Sequence, residues 1–211
     1  MRGSEKGVAP ESFSEWFKLE KKVLEPSYRS FQNPQKAELV DTLFREQAGC
    51  CVYCGRALKR EEYGKTSHVD HFRPQAEDKY PHLQLCHDNL FVSCGPDTDI
   101  GPSQTCGHVK GDWFDESNHI DPKDYPTVRY FRFRSSGKID DAGSDAARVM
   151  IDILKLNDPE LVVDRRTLID GVEQALLDGS EQEALPFWNI RDDNGYEPGL
   201  SYVVRRYFDA A

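Results

Sequence analysis

The sequence predicts an α+β protein in which a zinc-stapled unit of two short strands and a short helix is embedded among α-helices. Three observations predict it. Four cysteines fall in two groups, Cys51-Val-Tyr-Cys54 and the pair Cys94 and Cys106. Between the groups lie two segments of strand length, His68-Val-Asp70-His71 ended by Phe72-Arg73-Pro74, and Asn89-Leu-Phe-Val-Ser-Cys94. The flanking segments instead carry apolar residues at helical spacing.

Taken in order, Ala9-Pro10 to Phe17 begins as an extended or capped segment bearing Phe13, Trp16 and Phe17, a docking arm too short to fold alone. Asn33 caps and Pro34 opens a helix with Leu39, Val40, Leu43 and Phe44 on one face, ended by Gly49. After the strands, a short helix from Cys106 or His108 to about Phe114 packs over them. Arg129 to Arg134 reads as a strand with Phe131 and Phe133 on one face, turning at Ser135-Ser-Gly137. Its arginines suit a solvent face and a nucleic-acid backbone equally, with Tyr130 stacking in the second case. Ser144 or Asp145 starts a helix aligning Val149, Ile153 and Leu156. Asp158-Pro159 caps and opens another with Leu161, Leu168, Val172 and Leu176, ended by Gly179. Pro198 opens a last helix with Leu200, Val203, Val204, Tyr207 and Phe208, a stripe for core packing or for a partner.

The cysteines point to a structural zinc ion. Thiolates are soft ligands suited to Zn(II), and a closed tetrahedral site needs four of them or a mixture with histidine. Cys51 and Cys54 have the two-residue spacing of a tight knuckle, with Gly55 where the chain turns. Cys94 and Cys106 form the second pair, separated by an eleven-residue loop from Gly95 to Thr105. His87 or His108 in place of one cysteine is the rival ligand set, and a disulfide or a buried thiol is the bland alternative. Cys50 and Cys86 are expected to be buried, reduced thiols.

His68-Val-Asp70-His71 points to hydrolysis. Cleaving a phosphodiester requires water to be deprotonated and a divalent cation to offset charge on the transition state and the leaving 3′ oxygen. Histidine is the base whose ordinary pKa suits neutral pH. On a regular strand adjacent side chains face opposite ways, so Asp70 and His71 share a site only where the strand ends. Phe72-Arg73-Pro74 supplies that end. Asp70 can then ligate metal while His71 reaches the water, with His68 as the reserve base. A surface Asp and a surface His are the bland alternatives.

These residues resemble the HNH nucleases of the ββα-metal superfamily. More closely, the chain resembles the HNH subunit (PtuB) of Septu-type and retron-associated anti-phage systems. The shared features are Gln47-Ala-Gly-Cys-Cys51-Val-Tyr-Cys54, His71-Phe-Arg-Pro74, Asn89-Leu90 leading to Cys94, Cys106-x-x-x-Lys110-Gly111, Ser136-Gly137-Lys-Ile139 and Ile153-Leu-Lys-Leu156-Asn157 with Arg165 beyond. The resemblance implies a metal-dependent endonuclease with His71 as general base and Asp70 as ligand of a catalytic Mg(II) or Mn(II). It implies that Asn89 holds the loop carrying His71, where a lone Asn would otherwise read as a turn residue. Related chains often have His or Asn directly after the last cysteine. Here that residue is Gly107, so His108 is the expected second ligand, with a core histidine or a zinc ligand as its alternatives. The implied substrate is DNA or RNA, and the implied partner is an ABC/AAA-like ATPase (PtuA-like).

Composition adds one tension. The chain has 211 residues and a net charge of −10, from 27 basic against 37 acidic residues. A nuclease acting alone normally carries a basic footprint. The expected division is an N-terminal arm and helix over 1–46, a nuclease core over 47–115 and a strand-and-helix segment over 116–211. The first is neutral, the second carries seven basic against ten acidic residues, and the third twelve against nineteen. The acidity sits mostly outside the site, which favours reliance on a partner for nucleic-acid affinity; an ordinary solvated helical face is the other reading. A zinc-stabilised adaptor that binds the ATPase or nucleic acid and cleaves nothing is the competing function. Paired cysteines, no long apolar run and no apolar signal core lead to the expectation of a cytoplasmic protein without membrane contact.

Overall fold

The computed structural model describes residues 1–23, 25–76, 79–96, 105–125 and 127–177. It is a mixed α+β fold with small antiparallel sheets. The elements are α1 (Glu11–Glu20), α2 (Gln35–Glu46), β1 (Ser67–His71), β2 (Leu90–Cys94), α3 (Cys106–Lys110), β3 (Arg132–Phe133), β4 (Ile139–Asp140), α4 (Asp145–Ile153) and α5 (Pro159–Leu177). Among the described residues no helix is long and apolar enough to cross a membrane.

The β1–β2 ladder divides two cores. The strands pair antiparallel, with Ser67 opposite Cys94 and His71 opposite Leu90. Alternation sends Val69, Leu90 and Val92 to one face, where they join Phe13, Phe31, Leu39, Val40, Leu43 and Phe44. Phe91 faces the other way, into a core with Phe72, Ile120, Phe131, Ile139, Met150 and Leu154. The hydrophobic face expected for α2 is buried in full. At its end, buried Gln47 donates to the Cys50 and Val92 carbonyls (2.8 and 2.7 Å) and accepts from Val92 N (2.7 Å), tying the helix exit to the knuckle and to β2.

Several expectations are corrected. The Pro10–Phe17 arm is helix α1, and Phe13 and Trp16 pack on Phe31 at ring distances of 5.1 and 4.7 Å. The chain's own core therefore uses the apolar residues that suggested docking. Helix α2 starts at Gln35, with Pro34 at the cap position and no side-chain cap, and it ends at Glu46 rather than Gly49. Helix α3 stops at Lys110, short of Phe114. The 129–134 segment is a 3-10 turn (Thr127–Tyr130) followed by a two-residue strand, and Phe131 and Phe133 are both buried. Arg129 pairs with Asp124 and Arg134 with Asp140, so local carboxylates occupy two of its arginines.

The α4 face is Ala147, Met150 and Ile151, one step round from Val149 and Ile153, and Ser144 Oγ caps it by accepting from Ala147 N. On α5, Leu161, Arg165, Ile169 and Val172 are buried. Arg165 is buried on this face although charged, and its guanidinium donates to the Gly137 and Leu156 carbonyls at 2.6 and 2.7 Å. The stop at Gly179 and the Pro198 helix lie outside the described residues.

The amino-terminal strap is woven into the second core. Arg2 N and Gly3 N donate to the Tyr53 and Val52 carbonyls, and Ser4 N donates to Pro122 O. Beside it Lys6 Nζ pairs with Glu46 Oε2 at 2.6 Å in a buried ion pair, and His87 Nε2 lies 3.2 Å from Glu46 Oε1.

Candidate metal centre and active site

Cys51, Cys54, Cys94 and Cys106 are buried, and their four Sγ atoms all lie within 4.8 Å of one another. Cys54 Sγ and Cys94 Sγ are 3.8 Å apart. That is far beyond a disulfide bond of ~2.05 Å. It equals the sulfur–sulfur edge of a tetrahedron with Zn–S bonds of about 2.3 Å, which is ~3.8 Å. The knuckle is shaped by Gly55, whose φ of +79° suits glycine, and by its N–H donating to Cys51 O. Cys94 N donates to Cys51 Sγ at 3.4 Å.

Burial pushes the Cys106 thiol well above its usual pKa, and hydrogen bonding to Cys51 adds to this. Burial raises Cys51 too, but hydrogen bonds from Cys106, Cys54 and Cys94 outweigh it and hold that thiol well below its usual value. One thiolate is thus sheltered by its neighbours' protons, and ionising all four requires a cation. The cluster can hold a metal ion such as zinc. Among the described residues it is the only group of three or more His, Cys, Asp and Glu so gathered. His87 lies instead against Glu46, and His108 lines a different cavity. Cys50 is buried as expected, whereas Cys86 is half-buried.

A cavity of about 330 Å³ opens beside β1 and the start of α3, lined by His68, Asp70, His71, Pro74, Gly107 and His108 among others. β1 runs regularly to His71, so its last two side chains diverge although both line the cavity. Asp70, 7% exposed, lies on the α3 face. Its Oδ2 accepts from Tyr53 Oη at 2.5 Å and sits 3.4 Å from Lys110 Nζ. Burial and the Asp70 charge push the Tyr53 phenol well above its usual pKa, so it remains a donor. Lys110 Nζ also donates to the His71 and Gly111 carbonyls, both at 3.0 Å.

His71 turns to the other face, against the Tyr28 ring at 4.6 Å. Its Nε2 lies 3.0 Å from Gln84 O. A carbonyl only accepts, so Nε2 carries the proton and Nδ1 holds the lone pair. Burial lowers the imidazole pKa below its usual 6.5, against the opposing pull of Gln84 O and Asp70. His71 is a neutral base at pH 7.

Asn89, 4% exposed, clamps the chain that leaves β1. Its Oδ1 accepts from Arg73 N (2.8 Å), and its Nδ2 donates to Arg73 O (2.9 Å) and Leu83 O (3.2 Å). Leu83 adjoins Gln84, so one side chain ties the strand exit to the segment that fixes His71. Gly107 is tightly enclosed: a Cβ there would lie 2.9 Å from Ser93 Oγ and 3.0 Å from Asp70 Cγ. Its N–H donates to Ser93 Oγ at 2.9 Å.

Four contributors had no role assigned from sequence: Gln47, Tyr53, Ser93 and Lys110. Two carried a usable signal. Tyr53 lies between the knuckle cysteines, and Lys110 stands four residues after Cys106, on the same helical face. No protein-family model matches the chain, and no curated protein matches it.

Proposed function

We propose that this chain is a metal-dependent HNH-type endonuclease that hydrolyses phosphodiester bonds of DNA or RNA. The observation that supports this most is the braced end of β1. His71, which lines the same cavity as Asp70, has its Nε2 fixed on Gln84 O so that Nδ1 is the proton-accepting nitrogen, while Asn89 clamps both segments that orient it. A two-stranded ladder with a short helix packed on β2 is the arrangement expected of a ββα-metal unit.

On this reading Asp70, with His108 as the second ligand, holds Mg(II) or Mn(II). The cation, when bound, offsets charge on the scissile phosphate and the departing 3′ oxygen. His71 Nδ1 takes the proton of a water attacking phosphorus. The new P–O bond forms as the P–O3′ bond breaks, and the 3′ oxygen leaves as the alcohol after taking a proton from solvent. Neutral His71 is ready for its step at pH 7. The four-cysteine zinc site has a purely structural role.

The net charge of −10 supports a subunit that borrows nucleic-acid affinity from a partner. Together with the sequence resemblance, it supports a role as effector of an anti-phage complex with an ABC/AAA-like ATPase. One observation favours the competing adaptor: Asp70 Oδ2 is already engaged by Tyr53 and Lys110, as in a purely structural carboxylate. Incubating the chain, alone and with the ATPase, with plasmid and structured RNA, with or without Mg(II) or Mn(II), separates the two. Metal-dependent cleavage that falls ~10²–10⁴-fold in His71→Ala at unchanged zinc content is expected. Absence of cleavage under every condition, or His71→Ala cutting at full speed, overturns the enzyme.

A further inference from the structure

We propose that His68 is a third ligand of the catalytic cation, completing a His68–Asp70–His108 set that selects a first-row transition ion such as Mn(II) over Mg(II). This rests on the nuclease reading for its purpose, though not for its test.

The argument begins with strand geometry. Residues two apart on a strand project to one face about 6.7 Å apart, near enough for their side chains to converge on one ion. β1 is regular through His71. His68 and Asp70 therefore share the α3 face, while His71, the expected partner of Asp70, turns to Tyr28. His68 is the side chain that strand geometry pairs with Asp70.

Second, the His68 ring is set as a ligand would be. Its Nδ1 lies 2.9 Å from Gly95 O. Because a carbonyl only accepts, Nδ1 is the donor, and in the neutral ring Nε2 is the nitrogen left to bind a metal. A metal-bound imidazole is typically held this way, with its second nitrogen donating to a backbone carbonyl. Third, His108 approaches from α3, its ring 6.5 Å from that of His68 across the cavity both line. Two imidazoles on one ion, with M–N bonds of about 2.1 Å, have ring centres up to ~6.5 Å apart when trans and closer otherwise. The ligand atoms of His68, Asp70 and His108 are not gathered as those of the four cysteines are; the set requires the half-buried His108 to rotate towards His68 and Asp70.

Fourth, the site needs another ligand. Gly107 has no side chain, and the space where one would begin is filled by Ser93 and Asp70. Asp70 Oδ2 already serves Tyr53 and Lys110, which leaves Oδ1 to bind a cation. One carboxylate oxygen is a poor site for Mg(II), which prefers oxygen donors. Two imidazoles and a carboxylate suit Mn(II), Co(II) or Zn(II).

The test is Mn(II) binding to zinc-loaded full-length protein, read as loss of the free-ion electron paramagnetic resonance signal, with zinc content and thermal melts as controls. Wild type should bind one Mn(II) per chain, and Mg(II) should displace it only at about a hundred-fold excess or more. His68→Asn is the informative variant, because the Asn amide can keep the Gly95 hydrogen bond while Nε2 is lost. It should weaken Mn(II) binding on the order of ten-fold or more with an unchanged melt, and His68→Asp should restore part of the affinity. Mn(II) binding as tight in His68→Asn as in wild type overturns the proposal, as does Mg(II) competing at parity. If His68→Asn loses Mn(II) but no substrate is ever cut, the ligand set stands and the nuclease reading falls. If cleavage is robust and His68→Asn leaves Mn(II) affinity intact, the reverse holds.

Discussion

Replacing Tyr53 by Phe tests the link between the zinc knuckle and the candidate active site. The substitution removes one oxygen. In the wild type that hydroxyl donates at 2.5 Å to the Asp70 carboxylate, with Tyr53 fully buried and Asp70 7% exposed. A hydrogen bond to a charged group contributes roughly 1.5–3 kcal/mol, and leaving a desolvated carboxylate short of a donor places the loss toward the top of that range. Lys110 at 3.4 Å is too distant to replace it fully. For a chain of this length, about 2–3 kcal/mol corresponds to a fall in Tm of roughly 4–12 °C. The sign with pH is also fixed. The folded pKa of Tyr53 lies above its ordinary value of 10.0, so its contribution is complete below pH 10 and is lost as pH rises toward the folded pKa. The assay is a double-mutant cycle of Tyr53→Phe with Asp70→Asn, measured by denaturant unfolding of zinc-loaded protein. A coupling energy of about 1.5 kcal/mol or more is expected. Coupling below ~0.5 kcal/mol, the range of non-interacting pairs, would refute the reasoning.

Three further outcomes follow from the same geometry. Cys54→Ser should lose the metal and unfold the region around the knuckle, since a structural zinc supplies on the order of 10 kcal/mol in isolated fingers; metal analysis of wild type should give about one zinc per chain. A folded Cys54→Ser protein with full zinc content would contradict this. Gly107→Ala should cost about 1–3 kcal/mol, read from the denaturant midpoint, because its Cβ would press on Ser93 Oγ and Asp70 Cγ; unchanged stability would show that the contact yields freely. Because burial lowers the His71 pKa below 6.5, cleavage should stay at its plateau at pH 7 and fall only on acidification below 6.5. His71 also contributes stability that is complete above pH 6.5 and lost as pH falls toward the folded pKa. An acid limb in the pH–rate profile centred above 6.5 would assign the base elsewhere.

The sequence by itself determined the parts governed by local spacing. Cys51-x-x-Cys54 can form a knuckle because two intervening residues suffice for a turn, and the α2 stripe is legible because its period of 3.6 falls on Leu39, Val40, Leu43 and Phe44. Ser144 and Pro159 mark helix starts by side-chain and ring chemistry acting within one turn. Only the tertiary structure decided which polar groups meet. Tyr53, Asp70 and Lys110 are separated by 17 and 40 positions, and Asn89, in the turn that precedes β2, reaches back to Arg73 and Leu83. No periodicity encodes such contacts. Helix α1 was misread because apolar residues over one short segment do not reveal whether the chain or a partner covers them; Phe31, brought against it by the fold, settles that. Arg165 was singled out only by resemblance and without a role, since its acceptors at Gly137 and Leu156 lie on separate turns. The regular end of β1 had the largest consequence: it turned His71 away from Asp70 and set His68 beside it, because side-chain direction on a strand depends on where pairing stops.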